Sequence, residues 1–154
     1  EAIEKYAAMR TVEGAALEAD LRARSKTILS LVERVEQRSP VTLAEYRRRL
    51  TDKMQEVLQS TSIDEGRILQ EAAIYADKIA VDEETVRLRS HLSQLDAMLT
   101  DGGAIGRKLD FLLQELNREA NTIGSKGNDI EQARTVVAIK AELEKIREQT
   151  QNIE

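Results

Sequence analysis

Between Gly106 and Lys126 the chain reads GRKLDFLLQELNREANTIGSK, and apolar residues recur in it at helical spacing. Leu109, Leu112, Leu113, Leu116, Ala120 and Ile123 share one arc at roughly 100° per residue, which predicts an amphipathic helix over 106–126. The rest of its surface is unlike an ordinary solvated face. Asp110, Gln114, Asn117 and Asn121 form a second stripe, and Phe111, Glu115, Arg118 and Thr122 form a third, with Glu119 at the apolar edge. Asn and Asp are poor helix formers, so a face chosen only for water would favour Lys and Glu. Carboxamides, carboxylates and an outward Phe suit a surface that meets a ligand or another chain.

The same reading extends along the chain. A long helix is predicted from Ala2 to Arg38, with Ala8, Val12, Ala15, Ala16, Ala19, Leu21, Ile28, Leu29, Leu31, Val32 and Val35 as a heptad-like seam. Gly14 costs that helix about 1 kcal/mol relative to Ala and suits close approach of a second helix. A rod this long exceeds what a small globule can bury, so it is expected along another long helix or another subunit. Ser39-Pro40 is expected to stop it, because the residue before Pro is disfavoured in the helical region. Thr42 and Glu45 then form a capping box for a helix from Leu43 to Gln59.

Thr61-Ser62 reads as a turn, Asp64 as the cap of a helix over 65–80, and Asp82 as the cap of another over 83–100. In the latter, Leu88, Leu92, Leu95 and Leu99 make the buried stripe, while Glu84, Arg87 and His91 share one flank. Asp101-Gly102-Gly103 ends it, 124–128 is the next break, and a closing helix runs from Asp129 to Asn152. That helix is expected to bury Val136, Ile139, Leu143, Ile146 and Ile153. The sum is an all-α, elongated helical bundle of five or six helices with a long N-terminal helix and a C-terminal helical hairpin. Residues 1–39 are read as the long helix and 40–154 as a helical C-terminal domain.

Composition narrows the chemistry. Apolar residues reach 41% but aromatics only 3%, so the core must be aliphatic. The absence of Cys excludes disulfides and thiolate metal sites. No apolar run nears the ~20 residues that span a bilayer, and no signal peptide is visible, so a soluble, cytoplasmic protein without a membrane partner is expected. A net charge of −5 weighs against a freestanding nucleic-acid binder. It leaves room for clustered carboxylates beside local cations, or for a groove shared between subunits. Arg47, Arg48 and Arg49 fan around their helix and read as solvated or Glu-paired groups, or as part of an RNA path. GxxxxGK[ST] is absent, and so are Ser-His-Asp signatures.

GRKLDFLLQELNREANTIGSK, with the closing IREQTQNIE, closely resembles the C-terminal region of the bacterial YicC/YloC-like proteins. The resemblance extends through EGAALEADLRAR and EETVRLRSHL, and so covers essentially the whole chain. It implies a divalent-metal-dependent endoribonuclease that cleaves single-stranded RNA, has a part in small-RNA turnover, and works as a homo-oligomer, a hexamer by that likeness. It also implies a further N-terminal domain before Glu1, which fits a chain that does not open with Met.

Within that frame, His91, the only histidine, is a candidate for proton transfer and lies in the RLxSHL stretch of the resemblance. The plain alternative is a helical His hydrogen-bonded to a neighbouring Glu. Glu115 and Glu119, one turn apart, join it as catalytic candidates, and Glu84, Asp110, Glu115 and Glu119 are the candidate ligands of Mg²⁺ or Mn²⁺. Asp110 lies on another face and needs ligands from a different helix; Glu115 can instead pair with Arg118, or Glu119 with an Arg at the core edge. Arg87, Arg107, Lys108, Arg118 and Lys126 are candidate phosphate contacts, Phe111 a base-stacking platform and Asn121 a base or sugar contact. Phe111 and the carboxamides serve equally as a subunit contact. The competing functions are a non-catalytic helical oligomerisation scaffold and an RNA-binding adaptor for RNA-decay proteins.

Overall fold

The computed structural model describes residues 1–58, 62 and 64–151, and every described element is helical. There are five helices: α1 (Ala2–Leu58), α2 (Glu65–Ile79), α3 (Asp82–Asp101), α4 (Gly106–Lys126) and α5 (Ile130–Gln151). At 1.5 Å per residue, the 57 residues of α1 extend about 85 Å, nearly three times the length of α3, α4 or α5.

The middle of α1 makes a square bundle with α3, α4 and α5. Helix α1 packs on α3 and α5, and α4 packs on the same two, so α1 and α4 stand at opposite corners. Leu21, Ile28, Val32 and Val35 of α1 meet Leu88, Leu95, Leu109, Leu112, Leu116, Ile123, Ile139, Leu143 and Ile146 in one continuous aliphatic core. All six arc positions predicted on α4 are buried, and so is the predicted leucine stripe of α3. Each fully buried Leu or Ile contributes about 1.5–3 kcal/mol. Ion pairs edge the seams. Arg89 holds Glu36 through two bonds of 2.8 and 2.6 Å, Arg22 pairs with Asp96, and Arg24 reaches Glu142 at 3.1 Å. With Arg38 bound to Asp129 as the second link to the α5 end, the order of these partners makes α1 antiparallel to both α3 and α5.

The largest departure from the sequence reading is at Pro40. The helix does not stop there: α1 runs from Ala2 through Pro40 to Leu58, so the expected break at 39–42 and the boundary at 39/40 both fall inside one helix. Proline removes one ladder bond and crowds the carbonyl four residues back, at about 3 kcal/mol. Contacts on both sides of it offset that cost. Val35 is fully buried before it, Arg38 binds Asp129 at 2.8 Å, and beyond it Tyr46 stacks on Tyr75 of α2 with centroids 3.7 Å apart. Thr42 is consequently no cap. Its hydroxyl donates back to the Arg38 carbonyl at 3.1 Å, and Glu45 accepts from Arg38 instead of closing a capping box.

The opening of α1 is likewise not a buried seam. Leu21, Ile28, Leu31, Val32 and Val35 are buried and Leu29 is partly so, but Ala8, Val12, Ala15, Ala16 and Ala19 are exposed. Nothing lies within 4 Å of the position a Cβ would take on Gly14.

The remaining boundaries fall near expectation. Asp64 caps α2 by accepting from the Arg67 amide at 3.3 Å. Asp82 sits inside the first turn of α3, whose cap position is Val81. Gly102 and Gly103 take φ of 69° and 85° in the turn that reverses the chain into α4. Asp129 accepts from the Gln132 amide at 3.0 Å, and the Gln132 side chain donates to the Ile123 carbonyl at the end of α4. The readings that involve Gln59, Thr61, Asn152 and Ile153 lie outside the described residues.

Candidate metal and RNA site

Helices α3 and α4 form an antiparallel hairpin closed by the Gly102-Gly103 turn, and their facing edges carry the polar chemistry. His91 on α3 lies opposite Glu115 and Glu119 on α4, and ligand-type atoms of all three lie within 4.8 Å of one another. Glu119 is buried, whereas His91 and Glu115 are half-buried, so the cluster opens on one side to solvent.

Two carboxylates one turn apart repel each other. Arg87, one turn before His91, relieves this by donating from Nε to Glu119 Oε1 at 2.9 Å. The guanidinium remains strongly protonated because the hydrogen bond to Glu119 raises its pKa. Glu115 has no hydrogen-bond or ion-pair partner among the described residues, so the alternative of a pair with Arg118 is not made, whereas Glu119 does pair with an Arg. The Nδ1 of His91 is buried and also without a partner among them. An orphaned imidazole nitrogen beside two carboxylates, one of them unpaired, is a donor set that fits a divalent cation. Its oxygens suit Mg²⁺, and the imidazole adds affinity for Mn²⁺.

The structure does not bring Glu84 or Asp110 to that point. Glu84, 2% exposed, accepts from Lys126 Nζ at 2.7 Å and faces Arg87 Nη2 at 3.4 Å. Lys126 also donates to the Ala80 carbonyl at 3.0 Å, so it is held between the two helices and is not a free cation. Asp110 faces the other way. With Arg107, Leu109, Thr150 and Gln151 it lines a cleft of about 620 Å³ between the α3–α4 turn and the end of α5.

The other RNA candidates are dispersed. Arg107, Lys108 and Arg118 are exposed. Phe111 is 64% exposed and stands one turn before Glu115 on the same line of α4. Asn121 lies on the opposite edge of α4, where its side-chain oxygen accepts from Lys140 of α5 at 2.8 Å. The sequence reading missed that lysine, whose only signal was a Lys on the outer face of the closing helix. It also read Arg87 as a phosphate contact, while the structure ties its Nε to Glu119.

A square aliphatic bundle with one imidazole and two carboxylates converging on an open edge defines a helical, cation-competent polar site. Residues 35–154 match the family model described as "Endoribonuclease YicC-like, C-terminal". Over 155 aligned positions the whole chain is 47% identical to the "Probable endoribonuclease YicC" of Clostridioides difficile, of which it covers 53%. A protein of the same name from Haemophilus influenzae is 37% identical over 149 positions, 97% of this chain and 51% of that protein. The chain therefore belongs to the YicC-like endoribonuclease family, and it spans about half the length of these curated relatives.

Proposed function

We propose that this chain carries the metal-binding and RNA-cleaving part of an endoribonuclease that acts on single-stranded RNA with a divalent cation, Mg²⁺ or Mn²⁺. The observation that carries this reading is the convergence of His91, Glu115 and Glu119 from two helices on one point. Family membership supports the class of reaction, since both curated relatives are named as probable endoribonucleases.

In this reading Glu115, Glu119 and His91 hold the ion. When bound, it supplies concentrated positive charge to a phosphodiester undergoing cleavage. Glu119 is fixed by Arg87, while Glu115 and the Nδ1 of His91, which have no partner among the described residues, are left to complete the ion's shell. Phe111 offers a base-sized aromatic surface beside the site, and Arg118, Arg107 and Lys108 supply positive charge along the same helix for a strand's phosphates.

Assembly into a homo-oligomer fits the same picture. Residues 1–16 of α1 project beyond the bundle with every side chain exposed, including Ile3, Tyr6, Met9 and Val12. Apolar side chains exposed around a protruding helix suit burial against further copies. Small RNAs are one class of single-stranded substrate whose turnover such a reaction would serve. No helix among the described residues is long and apolar enough to cross a membrane, which agrees with a cytoplasmic setting for that role.

The test is cleavage of a labelled single-stranded RNA by the full-length protein with Mn²⁺, and then with EDTA. Cleavage is expected to need the metal, and Glu115→Gln or His91→Ala to slow it by about 10²-fold or more. Equal rates in all three proteins would refute the site. Salt-sensitive binding without product would make the protein an adaptor instead.

A further inference from the structure

Glu84 is the most deeply buried carboxylate among the described residues, yet it stands outside the His91 cluster. Its Oε1 takes both Lys126 at 2.7 Å and Arg87 at 3.4 Å, while its Oε2 is buried with no hydrogen-bond partner among the described residues. As a simple clamp between helices this is a poor choice, because a buried carboxylate with an unsatisfied oxygen is less favourable than an apolar side chain of similar size. The arrangement becomes intelligible through Arg87. One guanidinium touches three carboxylates: Nε donates to Glu119, Nη2 faces Glu84, and Nη1 faces Glu83 at 3.4 Å. Glu84 is therefore the inner anchor that turns the Nε of Arg87 towards Glu119.

We propose that Glu84 is a positioning residue for the His91–Glu115–Glu119 site, acting through Arg87, with Lys126 as its counter-charge. This rests on reading that cluster as a cation site. Anchoring Arg87 on Glu84 directs one N–H at Glu119 Oε1 and leaves Oε2 as the oxygen available to an ion. The charge of Glu84 also offsets part of the positive charge that Arg87 and Lys126 bring near that ion. Removing the carboxylate leaves two cations poorly compensated beside the site and weakens cation binding. Removing Lys126 leaves Arg87 as the one cation on Glu84, takes a positive charge away from the site and strengthens that binding. A structural clamp predicts no such opposition, because either substitution breaks the same bond.

The experiment is a Mn²⁺ titration of the full-length protein by calorimetry, with the melting temperature recorded for each variant. Glu84→Gln is expected to weaken Mn²⁺ binding about three- to tenfold, and Lys126→Met to tighten it about two- to fivefold, as for a nearby unit charge that solvent partly screens. Both variants should melt below the unsubstituted protein. Affinities that do not change, or that move in the same direction, overturn the positioning role while the cation site stands. Absence of Mn²⁺ binding by the unsubstituted protein overturns the cation site and this inference with it. If Glu84→Gln fails to fold, Lys126→Met decides alone, and no gain in its affinity overturns the proposal.

Discussion

Asp129 shows how much one side chain does in this fold. It caps α5 through the Gln132 amide and grips Arg38 of α1 through two bonds of 2.8 Å. The Arg38 guanidinium is the main cause that holds its carboxyl below the usual aspartate range; the Gln132 amide adds to this, and partial burial opposes it. Glu36 is held low in the same way by Arg89. A carboxylate whose pKa is depressed by folding stabilises the native state fully above its unfolded value, near 4, and loses that contribution as pH falls through the lower folded value. Urea-unfolding midpoints should therefore decline below about pH 4. Asp129→Asn, which keeps a capping oxygen but loses the charge, should be less stable than the unsubstituted protein at pH 7, and the gap should narrow steadily as pH falls below about 4. A constant gap across that range would refute this account. Arg38–Asp129 was not legible in the sequence, and a pairing of Glu119 with an Arg was legible without its partner, because the members lie 91 and 32 residues apart and no local spacing announces them. His91, Glu115 and Glu119 were nameable as chemistry, and their meeting required the hairpin.

At the scale of the element, the helices whose ends are marked by Gly or by a capping Asp were read closely. Helix α4 spans 106–126 as its apolar arc predicted, with Gly102 and Gly103 before it and Gly127 after. Helix α1 was misread because proline is a strong local signal and the forces that override it are tertiary. Pro40→Ala should restore the missing ladder bond and remove the ring's clash, raising stability by about 1–3 kcal/mol in urea denaturation. A loss of stability would mean that the ring itself packs usefully, where it lines a second cleft, between α1 and α2, with Leu43, Ala72 and Ala76. Helical periodicity alone marked the opening of α1 as a seam, but periodicity reports which face is apolar and not whether anything covers it.

For the whole molecule, that uncovered segment separates two properties that share one helix. Replacing Ile3 and Val12 with Glu touches no core residue, so the bundle should still fold, with its helical circular dichroism unchanged. The same pair should lower the assembly mass measured by light scattering if copies meet along α1. Leu116→Ala should behave oppositely. It opens a cavity in the bundle centre and should cost about 2–5 kcal/mol of stability wherever the copies meet.

The α3–α4 hairpin has a kinetic corollary. The groups that converge on it are separated by only 24 to 32 residues of chain, closed by one tight glycine turn. Closing so short a loop costs little entropy, and local topologies form fast. The polar cluster is therefore expected to take shape early in folding, before α5 docks, and to keep its internal spacing when distant parts of the rod are altered.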